Sequence, residues 1–70
     1  MKVLKNENLI KARKELGLTQ SDLAKKAGCK KTAVSNWENG YATPPMERAF
    51  KVAEILGKDV SYLFKQYKDK

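Results

Sequence analysis

The sequence predicts an all-α fold, a compact bundle of about five short helices in a single domain. Three observations carry this. Apolar residues recur at the i, i+3, i+4, i+7 spacing of a helix face. Glycines fall where those stripes end. No run alternates apolar and polar residues over the length of a strand. Seventy residues hold one domain, and a chain of this size buries only roughly 60% of its unfolded surface, so the core must be lean. The domain is expected to span 1–70, with its core over about 6–66.

The first helix is marked by Leu9, Ala12, Arg13 and Leu16 on one stripe, with Gly17 as its C-cap. Thr19 then offers an N-cap, and Asp22 falls at the third helical position, where a carboxylate meets the positive helix end. The second helix is expected over Gln20–Ala27, with Leu23, Ala24 and Ala27 inward and Gly28 as the stop. A third runs from Lys30 or Lys31 to Glu38, with Val34 and Trp37 inward, and ends at Asn39-Gly40. The uncharged stretch Tyr41-Ala42-Thr43-Pro44-Pro45 is the longest loop, its prolines setting φ for a new helix. Met46, Ala49, Phe50, Ala53 and Leu56, widened by Val52, make the fourth inner stripe before Gly57. Asp59 opens a short fifth helix with Val60, Leu63 and Phe64 inward and Tyr67 a further candidate.

Charge narrows the partner. Fifteen Lys and Arg against eight Asp and Glu give a net charge of +7, a balance that attracts polyanions, nucleic acid before an anionic membrane. The excess is uneven. Lys2, Lys5, Lys11, Arg13 and Lys14 face only Glu7 in the first fourteen residues, and Lys25, Lys26, Lys30 and Lys31 form a second cluster. Glu47, Arg48, Lys51 and Glu54 cancel, so the fourth helix reads as a neutral scaffold.

Several classes lack support. A single cysteine and no histidine preclude an internal disulfide and deprive a zinc site of its usual ligands. With no nucleophile beside an evident base and no Gly-rich phosphate loop, catalysis is not expected. No cofactor, metal or small-molecule ligand is expected either. No apolar run approaches the roughly 20 residues of a membrane span, and the start lacks a secretory apolar segment. The expected location is cytoplasmic, with the nucleoid. Cys29 reads as a small core residue at a corner rather than a redox sensor, and Trp37 as core rather than a base-stacking platform.

The informative unit is 20–40, a short helix, a Gly-containing turn and a second short helix. At roughly 100° per residue, Val34 and Trp37 pointing inward place Thr32 and Asn36 nearly opposite, flanked by Ser35. Lys30 and Lys31 project from the leading end. A short-chained polar face tipped with cations suits insertion of this helix, N-terminus first, into the DNA major groove. Asn can bond an adenine edge bidentately, Lys can reach guanine, and Thr32 or Ala33 can meet a thymine methyl. Gln20, opening the preceding helix, would sit over the sugar-phosphate backbone. Tyr41, Lys30 and Ser35 are further candidates for backbone contact.

The strings Leu18-Thr-Gln-Ser-Asp-Leu-Ala-Lys-Lys-Ala-Gly28 and Thr32-Ala-Val-Ser-Asn-Trp-Glu-Asn-Gly40 carry a resemblance, completed by Ala53-Glu-Ile-Leu-Gly57 and Ser61-Tyr-Leu-Phe64. They resemble the Cro and lambda-repressor helix-turn-helix family, also called the xenobiotic-response-element family, over about Leu9–Phe64. The resemblance implies a lambda-repressor-like five-helix fold and sequence-specific operator binding. By position, it implies that Gln20 contacts phosphate, that Lys31, Thr32, Ala33 and Asn36 face bases, and that Arg13 and Glu38 form a buried ion pair. Two residues depart from the family pattern. Lys30 stands where a small hydroxyl usually caps the recognition helix, a loss that typically costs ~1 kcal/mol. Pro45 replaces a small polar residue at the start of the fourth helix.

The resulting expectation is a double-stranded DNA-binding transcription regulator, a phage or bacterial repressor, acting as a weak homodimer completed on DNA through Tyr62 and Tyr67. The alternative is an antitoxin-like protein-interaction module that binds its own operator. The six residues after Phe64 favour the self-contained regulator. RNA binding is disfavoured by the lack of an aromatic platform on a sheet.

Overall fold

Five helices follow in the order the glycines punctuate: α1 (Glu7–Glu15), α2 (Gln20–Ala27), α3 (Lys31–Glu38), α4 (Met46–Leu56) and α5 (Val60–Leu63). The computed structural model describes residues 5–65, and no strand occurs among them. α2 packs against both α3 and α4, α4 against α5, and α1 against α3 and α5. Each helix is too short to be stable alone, since isolated helices under about 12–15 residues are marginal in water. Their shared interior therefore holds the fold together.

That interior is one cluster. Leu9 and Ala12 meet Leu23, Ala24 and Ala27, Val34 and Trp37, Ala49, Val52, Ala53 and Leu56, and finally Leu63 and Phe64. Trp37 and Phe64 pack edge to face, with centroids 6.3 Å apart and rings at 85°. Such a pair contributes about 0.5–1.5 kcal/mol beyond the area it buries. Leu18, Cys29, Ala33, Ile55 and Val60 seal the rim half-buried.

Helix ends are set by local chemistry. At α2, Thr19 Oγ1 accepts from the Asp22 N–H at 3.0 Å, and Asp22 Oδ2 accepts from the Thr19 N–H at 3.0 Å. This reciprocal capping box satisfies two N–H groups that a helix start otherwise leaves open. At the other end Gly28 adopts φ +73°, and the N–H groups of Gly28 and Cys29 turn back to the carbonyls of Lys25 and Ala24. That pair of bonds is a Schellman closure, and it requires the left-handed conformation that a side chain disfavours. Asn6 ties three helix ends together. Its Oδ1 caps α1 by accepting from the Leu9 N–H, its own N–H donates to the Glu38 carbonyl, and its Nδ2 donates to the Leu63 carbonyl.

Three inner-face expectations need correction. Leu16 is 53% exposed. α1 stops at Glu15, and the turn through Gly17 swings Leu18 against the core in its place. Met46 and Phe50 are also more than half exposed. The buried stripe of α4 is Ala49, Val52, Ala53 and Leu56, which centres on two alanines and lets the helix lie close to α2. Phe50 falls roughly 100° from Ala49 around the axis and so leaves that seam. Tyr67 lies outside the described residues.

Candidate nucleic-acid interface

α3 is held by a polar lock as well as by Val34 and Trp37. Arg13, reaching from α1, donates from Nε to Glu38 Oε2 at 2.6 Å and from Nη2 to Glu38 Oε1 at 3.1 Å. Its Nη1 donates to the Leu18 carbonyl at 2.8 Å. Both charges are nearly buried, with side chains 10% and 3% exposed. The forked geometry gives each carboxylate oxygen a donor. Glu38 Oε1 accepts a further bond, at 2.9 Å, from Nε2 of Gln20 on α2. One carboxylate thus joins α1, the start of α2 and the end of α3. Among the described residues no buried side-chain nitrogen or oxygen lacks a partner.

With Val34, Trp37 and Glu38 turned inward, the opposite face of α3 is fixed. Lys31, Thr32 and Asn36 are all exposed on it. Ala33 is half-buried and packs against the core, so its methyl reaches outward less than the base-facing assignment implies. Ser35 is half-buried on the flank, where its hydroxyl accepts from Asn39 Nδ2 at 3.4 Å. Lys30 is the exposed N-cap residue of α3 and makes no side-chain capping bond, so the first N–H groups of this helix receive no side-chain cap from it.

Gln20 is the first residue of α2 and half-buried. Its bond to Glu38 occupies one amide hydrogen and leaves a second, directed by the same anchor. The capping box uses the N–H groups of Thr19 and Asp22 and leaves those of Gln20 and Ser21. Three donors therefore cluster where α2 begins. Tyr41 is exposed just after α3, with its N–H bonded to the Asn36 carbonyl.

Electrostatics favour an anionic partner here. Lys25, Lys26, Lys30 and Lys31, all exposed, bracket the turn between α2 and α3. Asp22 is the nearby acid on this stretch. Its carboxyl is held below the ordinary carboxylate value by the Thr19 N–H, then by the Thr19 hydroxyl, with Lys25 and Lys26 adding smaller contributions. It is therefore ionised and committed to the cap.

Two polar contacts near this face have no counterpart in the sequence pattern. Gln20 to Glu38 is one. Arg48 is the other: counted as part of a neutral scaffold, it donates to two carbonyls of the turn, Ala27 and Gly28. Both are tertiary bonds between helices, and no local pattern encodes them.

A helix-turn-helix family model matches residues 9–63, most of the chain. The chain belongs to the Cro/C1-type helix-turn-helix family. It is 35% identical over 60 residues to the uncharacterized HTH-type transcriptional regulator YqaE of Bacillus subtilis, covering 86% of this chain and 52% of that one. It therefore spans about half the length of that relative. It is also 38% identical over 47 residues to an uncharacterized HTH-type transcriptional regulator of Methanothermobacter thermautotrophicus, covering 67% of this chain and 68% of that one. A regulator so named in Methanocaldococcus jannaschii is likewise 38% identical over 47 residues, at 67% and 71% coverage. No described helix is long and apolar enough to cross a membrane, and no described cluster of three or more His, Cys, Asp or Glu could hold a metal ion.

Proposed function

We propose that this helix-turn-helix chain is a sequence-specific double-stranded DNA-binding transcription regulator, acting as a repressor by occupying a promoter operator. The carrying observation is the fixed roll of α3: Val34, Trp37 and Glu38 are buried, so Lys31, Thr32 and Asn36 emerge together. An α-helix with its side chains is about 10–12 Å across, and a B-DNA major groove about 12 Å wide admits it. Lys31 and Asn36 supply the donors and acceptors for base edges, and Thr32 a methyl and a hydroxyl. Gln20, the N–H groups at the α2 start, Lys30, Ser35 and Tyr41 sit around them as backbone contacts that set register without reading sequence. That the relatives are named as transcriptional regulators supports the same reading.

The functional unit is a pair. One helix of this length meets only a few base pairs, too few to define a site in a genome. Two-fold pairs read half-sites about one turn, ~34 Å, apart. The molecule measures 28 × 27 × 21 Å, so copies at that spacing come within reach of one another. Tyr62, exposed on α5, is the contact candidate.

Selection of bound fragments from a random duplex pool tests the reading. A motif with two-fold related halves is expected. Failure to enrich any sequence, with equal retention of every duplex, would remove the specific-binding claim.

A further inference from the structure

Arg48 stands on α4, remote in sequence from the reading helix, yet its guanidinium reaches the corner on which that helix turns. Nη1 donates to the Ala27 carbonyl at 3.1 Å and to the Gly28 carbonyl at 2.8 Å. These are the last residue of α2 and the first of the three that link it to α3. Helix closure uses the N–H groups of Gly28 and Cys29 but leaves these two carbonyls without a helical donor. Arg48 supplies one, and its positive charge meets the negative end of α2.

From inside, the corner is held by the half-buried Cys29 and Ala33 against the core; from outside, Arg48 holds it. Lys30, the N-cap of α3, makes no side-chain capping bond, so the start of α3 has no side-chain cap of its own. Gly28 carries no side chain, and nothing lies within 4 Å of where one would begin. The polar lock of Arg13, Glu38 and Gln20 holds the opposite, C-terminal end of α3. With the polar lock at its C-terminal end and Val34 buried at its middle, the part of α3 whose placement depends most on the corner is its first turn, which carries Lys31 and Thr32.

From this we infer that Arg48 is a positioning residue for DNA reading: by clamping the turn to α4 it sets the angle at which the N-terminal half of α3 meets bases. The inference rests on the function proposed above. It differs from a phosphate contact, which would strengthen binding to every duplex alike. It also differs from a stability role alone, which would leave discrimination among duplexes unchanged in the folded protein.

The experiment compares affinity for the selected duplex with affinity for a random-sequence duplex of equal length, well below the melting temperature. Arg48→Met keeps the apolar stem and removes both donors, and Arg48→Lys keeps a charge and donors. Arg48→Met is expected to lower the selected-to-random affinity ratio on the order of tenfold, the discrimination carried by one base contact. Arg48→Lys is expected to recover most of that ratio. If Arg48→Met does not fold, Arg48→Gln is read by the same ratio. An unchanged ratio overturns the proposal, as does an equal loss on both duplexes with a shallower salt dependence, which would make Arg48 a phosphate contact. Wild-type protein that shows no preference for any duplex overturns the proposed function, and this inference with it. Wild-type preference with an unchanged variant ratio overturns the inference alone.

Discussion

Glu38 takes three hydrogen bonds on two oxygens, from Arg13 Nε, Arg13 Nη2 and Gln20 Nε2. Removing one member of a buried ion pair strands the other charge, which costs about 3–5 kcal/mol, whereas replacing both by matched apolar groups can be neutral. Urea denaturation of Arg13→Met, Glu38→Leu and the double variant is therefore expected to show strong coupling, with the double variant more stable than the sum of the singles implies. Additive losses would mean that the two side chains do not depend on each other. Gln20→Ala is expected to weaken binding to all duplexes similarly, the outcome for the backbone contact proposed for it at the start of α2. The ion pair was anticipated only through resemblance, residue by residue. That Gln20 joins it was not legible, since the bond depends on how closely α2 approaches the end of α3.

α2 shows what local sequence can specify. Thr19, Asp22, the spacing of Leu23, Ala24 and Ala27, and Gly28 all favour the same eight residues, and those are the ones observed. The Asp22 carboxyl titrates below its unfolded value because Thr19 bonds its charged form. A depressed folded pKa stabilises above the unfolded value, about 3.9, and that contribution is lost as pH falls through the folded value. Thermal melts of wild type and Asp22→Asn are thus expected to differ above about pH 4 and to converge in more acidic solution. A constant difference across that window would remove the charge from the capping argument. Gly28→Ala, forced to φ +73° with open space around it, should destabilise by about 1 kcal/mol through backbone strain alone. α4 was less legible. Its stripe holds candidates of similar hydrophobicity on two overlapping faces, and only its packing against α2 selects the alanine seam over Phe50. The last turn of α1 is hard to read for a related reason: the helix ends one residue before Leu16 would complete its stripe.

At the scale of the molecule, charge and shape act together. Binding to duplex DNA should weaken steeply with salt, with a slope of about −0.9 per phosphate contact, so six contacts across a pair would give about −5. A slope near zero would contradict a role for the lysines around the turn. On a palindromic operator the account expects two copies bound with higher apparent affinity than on a single half-site, and Tyr62→Ala should reduce that advantage. Equal affinity for both duplexes, with one copy on the palindrome, would leave a monomeric binder. Whether the exposed face of α3 reads bases is decided by parallel duplex selections with wild type and Asn36→Ala. Asn36→Ala is expected to lose preference at one position in each half-site, worth about 1–3 kcal/mol, while the rest of the motif persists. The same motif recovered from both proteins would contradict it.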